Sequence, residues 1–191
     1  MDAREARDEL VALIGRYAER MTDPRSRETA DRFLAFIRRR DDCFSRSCAE
    51  GHVTGSAFVT NPDYAKTLLV LHGKLGRWLQ PGGHYEPGES ALEAARREAL
   101  EETGLDGSPA LGGELFDLDI HEIPARGEAP AHLHYDARFL LVSPELAPEL
   151  SDESGDVAWF GLEEAVAMNP EESMRRPLAR LATMRSEEGR S

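Results

Sequence analysis

GHYEPGESALEAARREALEETGL, residues 83–105, is the stretch whose reading decides the fold. Ser90 followed three positions later by Glu93 is a capping box, in which each side chain satisfies the other residue's backbone amide at a helix start. Ala91, Ala94, Ala95 and Ala99 favour helix, Leu92, Ala95 and Ala99 make a small apolar face, and Gly104 supplies the stop. The spacing therefore predicts a helix over 91–103. On it Glu98, Glu101 and Glu102 occupy i, i+3 and i+4, so their carboxylates share one side. Like charges so placed repel unless a cation or a basic residue compensates them. Standing alone, the helix is explained more simply by a solvated acidic face. Arg97 is spaced to pair with Glu93 or Glu101 and to reach back toward Glu89.

Pro81-Gly82-Gly83 precedes this helix and reads as a tight turn whose glycines allow close backbone approach. Such a turn presents a main-chain oxygen toward the same cations as the carboxylates, and an all-oxygen donor set suits a hard ion such as Mg²⁺.

Residues 83–105 closely resemble the Nudix box, G-x5-E-x7-R-E-U-x-E-E-x-G-U, with U a bulky aliphatic. Gly83, Glu89, Arg97, Glu98, Glu101, Glu102, Gly104 and Leu105 fill its defining places, and Ala99 stands where Val, Leu or Ile is usual. That departure touches packing behind the helix and not the chemistry. The wider resemblance runs from about Gly51 to Met168, with Gly161-Leu162-Glu163-Glu164 like the start of the family's second long helix. It implies a Nudix-like α/β/α sandwich with a mixed sheet, and metal-dependent hydrolysis of a phosphoanhydride bond in a nucleoside diphosphate-linked or related small molecule. By the matching positions, Glu98, Glu101 and Glu102 would hold Mg²⁺ or Mn²⁺, with the Gly83 carbonyl as a further ligand. Arg97 and Glu89 would be a structural pair, and Glu98 or Glu102 would direct the attacking water.

Outward from the box, HVTGSAFVT and AKTLLVLHG read as strands separated by a turn at Asn61-Pro62-Asp63. LFDLDIHEI, HLHYDARFLLVS and DVAWF read as further strands, LEEAVAM and RPLARLATM as helices. Helices alternate with strands without regular parallel crossovers, so a mixed sheet between helices fits better than a doubly wound dinucleotide fold. Before Gly51, Leu10, Leu13, Ile14 and Tyr17 recur at helical spacing over about 3–21, and Phe33, Leu34 and Ile37 over about 26–40. Residues 1–50 are thus expected as a two-helix extension packed on the main domain, residues 51–191. Its apolar face serves either that packing or a homodimer.

Several polar residues surround the box. HLHYD sets His132, His134 and Asp136 on one face of a strand, with Leu133 and Tyr135 opposite. His132 and His134 are candidate catalytic or phosphate-contacting groups, a hydrogen-bonded structural cluster being the competing reading and a second metal site a third. His72, Lys74, Arg77, Trp78 and His84 flank the glycine turn. Trp78 reads first as a packing anchor and second as a platform for a base. Glu122, Glu128 and Glu153 are more remote candidate bases.

The 191 residues carry a formal charge of -13. Residues 1–50 hold equal numbers of basic and acidic side chains, so the negative surplus lies in 51–191. No basic stripe is present to neutralise a duplex backbone, which argues against duplex nucleic acid as a partner. A small-molecule diphosphate is compatible with this charge if metal ions supply the positive field. No apolar run approaches the roughly 20 residues that cross a bilayer, and the N-terminus lacks a signal-peptide pattern, so no membrane partner and a cytoplasmic location are expected.

Two rivals remain. A noncatalytic ligand-sensing Nudix domain would be marked by loss of box glutamates, and none is lost. An isoprenoid diphosphate isomerase on a similar scaffold would need a cysteine on the central sheet, whereas Cys43 and Cys48 precede it. The sequence carries no signature that chooses among sugar nucleotides, ADP-ribose-like compounds, dinucleoside polyphosphates, oxidised nucleoside triphosphates and capped RNA ends.

Overall fold

A computed structural model describes residues 1–73, 75–125, 127, 130–144, 147–148 and 154–189; Lys74, Glu128 and Glu153 lie outside them. Helix α1 spans Ala3–Arg20 and α2 spans Pro24–Arg39. The Asp2 carboxylate accepts from the amides of Arg4 and Glu5, while Glu5 accepts from the Asp2 amide, closing a capping box. Asp23 caps α2 through the Ser26 amide, and Pro24 sits at the helix start, where its missing N–H costs nothing.

Among the described residues eight strands form one mixed sheet. They are β1 Gly51–Thr60, β2 Lys66–His72, β3 Arg77–Leu79, β4 Gly82–His84, β5 Ser108–Pro109, β6 Asp117–Ile123, β7 His132–Val142 and β8 Ser154–Gly161. β1 and β7 run parallel in register from Gly51 opposite Leu133 to Thr60 opposite Val142. Every other pairing is antiparallel. The free edge of β1 is shared, by β4 along Thr54–Ser56 and by β2 along Val59–Thr60. That of β7 is shared likewise by β6 and β5. Splitting an edge between two partners curls the sheet.

The period-2 alternation of β1 and β7 assigns the two faces. Val53, Ala57 and Val59 with Tyr135, Ala137, Phe139 and Leu141 belong to a core closed by α1, α2 and α3, Ala91–Thr103. Phe58 and Leu140 face the other way, onto Ala165 of α4, Leu162–Met168, and Met174, Leu178 and Leu181 of α5, Glu172–Glu188. The result is an α/β/α sandwich with a mixed, curled sheet, as expected. The alanines of α3 set its distance from β1: a Cβ on Gly55 would lie 3.1–3.3 Å from Ala95, Ala94 and Ala91. Ala99, the departure from the box, is fully buried.

The apolar face of α1 and α2 is used inside the chain. Leu10, Leu13, Ile14, Tyr17, Phe33, Phe36 and Ile37 are all buried, Phe36 stacks on Tyr135 at 3.9 Å between ring centroids, and Phe33 meets it edge-on at 5.4 Å. Among the described residues no helix is long and apolar enough to cross a membrane.

The last helix departs most from the sequence reading. RPLARLATM was expected to carry the last helix, but α5 begins earlier, at Glu172, and takes Pro177 into its interior. Proline there cannot donate to the Ser173 carbonyl. That carbonyl instead accepts from Arg138 Nη1 at 2.6 Å, so the break in the helical ladder is filled from the sheet.

Arg138 is the hub of a buried ionic layer joining β6, β7 and α5. Its side chain is 3% exposed and meets Asp136 at 2.7 Å, Asp119 at 3.2 Å and Asp117 at 3.4 Å. Arg176 meets Asp117 at 2.7 Å and Arg180 meets it at 2.9 Å. Burial pushes the Asp119 carboxyl up, but the charge of Arg138 and the hydrogen bond from His121 outweigh it and hold Asp119 well below the usual carboxylate range. A carboxylate depressed in the folded state contributes stability that is present above the unfolded value, near 4, and lost as pH falls through the folded one. The Asp119 contribution to the urea midpoint should therefore hold steady from neutral pH down to about pH 5 and fall below about pH 4. In Asp119→Asn the acid limb of that profile should flatten.

Candidate active site

The box helix forms as its sequence dictates. Ser90 Oγ accepts from the Glu93 amide at 3.2 Å, Glu93 accepts from the Ser90 amide at 2.8 Å, and Gly104 ends the helix at φ 70°. Arg97 then ties the preceding loop to it. Its guanidinium meets both oxygens of Glu89, at 2.6 and 3.1 Å, and donates to the His84 carbonyl at 2.8 Å. Nη1 bridges Glu98 at 3.0 Å and Glu101 at 2.9 Å. These bonds hold the arginine in its cationic form. Of the partners proposed for Arg97, Glu89 and Glu101 are used, while Glu93 is engaged by its cap.

Pro81-Gly82-Gly83 is not a tight turn. Gly82–His84 is strand β4, extended and paired with β1 through Gly82 opposite Ser56 and Gly83 opposite Gly55. Glycine is required there for proximity and not for backbone handedness. A Cβ on Gly82 would fall 2.3 Å from Ser56 Cβ, and one on Gly83 would fall 2.3–2.6 Å from the Glu98 carboxylate. Glu102 closes on the same segment, its Oε2 accepting from the Gly82 amide at 3.1 Å. Glu98 and Glu102 are thus brought to β4, whereas Glu101 points outward, its side chain 57% exposed, on Arg97.

The two glycines should separate by their neighbours. Gly83→Ala pushes only the mobile end of Glu98, so it should unfold at nearly the wild-type urea concentration and lose turnover. Gly82→Ala strikes the Ser56 Cβ and Cα and should cost about 1–3 kcal/mol in a denaturation curve.

His132 and His134 do share a face of β7, and that face also carries histidines from other strands. Register sets His52 of β1 and His121 of β6 on either side of His134. The His84 ring lies 4.9 Å from that of His52, which places it across β4 from the Gly83–Glu98 contact. Of these, His52 and His121 were not singled out from the sequence. One ring nitrogen from each of His52, His132 and His134 lies within 4.8 Å of the others, close enough to hold a divalent metal between them.

Burial, reinforced by the neighbouring rings and Arg46, lowers His52 and His84 to about 4. Burial and the flanking histidines lower His134 to about 2. All three are neutral at physiological pH. Asp136, the last polar residue of HLHYD, is structural: it accepts from Thr54, Ser56, Gln80 and Arg138.

The remaining candidates are dispersed. Glu122 is exposed on β6, with its side chain on the face opposite His121. Arg77 is engaged by Glu171 at 2.6 Å. Trp78 packs edge-on against Phe160 at 4.8 Å, in the role of an anchor. Cys43 and Cys48 are buried free thiols ahead of β1, away from the position an isomerase of this scaffold would require.

The sequence model of the NUDIX domain matches residues 51–181. The chain belongs to the Nudix family. This Nudix chain is 32% identical over 120 residues to the rat asymmetrical bis(5'-nucleosyl)-tetraphosphatase, a match covering 63% of the chain and 80% of that relative. Among solved structures, a NUDIX-family hydrolase from Clostridium perfringens superposes with a TM-score of 0.52 at 26% identity, over 70% of this chain and 97% of that one. The MutT protein of Methanosarcina mazei Go1 shares the fold, with a TM-score of 0.55 at 21% identity over 72% of this chain and 96% of that one. The protein is a Nudix-type pyrophosphohydrolase, acting by metal-assisted water attack on a phosphoanhydride bond of a small diphosphate-linked molecule.

Proposed function

We propose that Glu98, Glu101 and Glu102, with the Gly83 carbonyl, hold Mg²⁺ or Mn²⁺ and that the substrate is a dinucleoside polyphosphate. The observation that carries the metal assignment is the convergence of the Glu98 and Glu102 carboxylates on the Gly82–Gly83 strand, in space that a single Cβ would fill. The donors are hard oxygens, the set that Mg²⁺ and Mn²⁺ prefer. When bound, the ion supplies neutralising charge for phosphate oxygens and a more acidic water. Glu98 and Glu101 exchange their Arg97 bonds for that role, and Arg97 keeps its two-oxygen grip on Glu89 and its bond to the His84 carbonyl. Glu102 or Glu98 orients the attacking water as general base. His132 and His134 approach the phosphate chain from the His84 side of β4.

The substrate assignment is supported by the rat tetraphosphatase, which this chain matches over most of its length. Residues 1–50 are proposed to be an extension that braces residues 51–191. The two free thiols fit a reducing, cytoplasmic compartment.

A panel of sugar nucleotides, ADP-ribose-like compounds, dinucleoside polyphosphates and nucleoside triphosphates, incubated with Mg²⁺ or Mn²⁺ and resolved by mass, tests this reading. A higher kcat/KM for a dinucleoside tetraphosphate than for the other classes is expected. Preference for another class would overturn the substrate assignment and leave the metal assignment standing.

A further inference from the structure

The histidine face of the sheet has a composition unlike that of the glutamate site. His52, His132 and His134 offer three imidazoles and no carboxylate to one point, with ring centroids 4.7 Å apart for His52 and His134, 5.1 Å for His52 and His132, and 5.3 Å for His132 and His134. His52 is 2% exposed, yet both its ring nitrogens are buried without a hydrogen-bond partner among the described residues. Buried polar atoms are ordinarily satisfied, so an orphaned imidazole amid other imidazoles marks a missing ligand. His132 shows how the group is prepared. Its Nδ1 lies 3.0 Å from the Pro130 carbonyl, which can only accept, so Nδ1 carries the proton and the Nε2 lone pair is left for a metal.

We propose that His52, His132 and His134 form a second metal site, selective for a borderline ion of the Zn²⁺ class and separate from the glutamate site. Imidazole nitrogen suits zinc and its neighbours, whereas Mg²⁺ demands oxygen. The spacing is reachable: zinc–nitrogen bonds of about 2.0–2.1 Å in a tetrahedron set the nitrogens roughly 3.4 Å apart, so rings whose nitrogens lie within 4.8 Å close by about 1.4 Å at most. Three protein ligands leave a fourth position for water or a substrate oxygen, the pattern of open zinc sites and not of closed structural ones. β4 lies between the two sites, with the glutamates on Gly83's side and the histidine cluster on His84's. The inference stands on this geometry and does not depend on the substrate reading.

The test uses the full chain, stripped with a chelator, then dialysed against Zn²⁺ in millimolar Mg²⁺ and assayed for bound zinc. Wild type and Glu102→Gln should each retain one zinc per chain. His134→Gln and His132→Gln should weaken binding by more than the roughly 10–100-fold that loss of an outer-shell partner costs. Zinc displaced from wild type by Mg²⁺, or retained by both histidine variants, would overturn the proposal, as would its loss from Glu102→Gln. Should the variants fail to fold by circular dichroism, ¹⁵N spectra of the wild-type imidazoles decide. Zinc is expected to shift His52, His132 and His134, and unshifted resonances would rule the site out.

Discussion

Glu102→Gln is expected to lower kcat by on the order of a hundred- to a thousandfold at saturating Mg²⁺, and Glu98→Gln by a similar factor. Metal-assisted charge stabilisation contributes several kcal/mol, and each 1.36 kcal/mol is tenfold in rate. The amide isolates charge from shape. A glutamine oxygen at position 102 can still accept from the Gly82 amide, so the 3.1 Å contact and the packing of α3 on β4 survive while the anionic donor is lost. KM should move far less than kcat, because the charge acts on the reacting phosphate and not on the remote parts of the substrate. Glu101→Gln should cost less, since that side chain stands 57% exposed and meets β4 only through Arg97. Unchanged kcat in Glu98→Gln and Glu102→Gln would remove both residues from the metal site.

Arg138→Met should be the most destabilising single change in the sheet. It removes the guanidinium that Asp136, Asp119 and Asp117 share, all of them buried. Arg176 and Arg180 still compensate Asp117, but Asp136 keeps only hydroxyl and amide donors, and the Ser173 carbonyl beneath Pro177 loses its partner. Breaking a buried pair from one side costs about 3–5 kcal/mol, a large part of the stability of a domain this size. A urea denaturation curve gives the loss directly. A shift under 1 kcal/mol would mean that water reaches these carboxylates and that the layer is not sealed.

The helix that carries the proposed glutamate site is local and is therefore legible. A capping box, a run of alanines and a terminal glycine fix Ala91–Thr103 without help from the rest of the chain, and the helical period then fixes which glutamates share a side. The glycine pair was misread for a reason of the same kind. Gly82 and Gly83 carry a strong local turn preference, but what selects glycine is Ser56 and the Glu98 carboxylate, distant in sequence and present only once β4 lies on β1. The histidine group was half visible. His132 and His134 share a strand, so their common face follows from the pleat. His52 joins them only through the parallel register of β1 on β7, which spans some eighty positions and leaves no local mark. The start of α5 was hidden similarly, since Pro177 argues against a helix interior until Arg138 is seen to satisfy the carbonyl it strands.

Hydrolysis of a dinucleoside tetraphosphate in H₂¹⁸O with Mg²⁺, with mass analysis of both products, tests the central claim most directly. Water attack at phosphorus predicts one ¹⁸O in the phosphate of one product, formed by wild type in proportion to metal occupancy and suppressed in Glu102→Gln. Product formation independent of Mg²⁺ and Mn²⁺, or equal in Glu102→Gln, would contradict it.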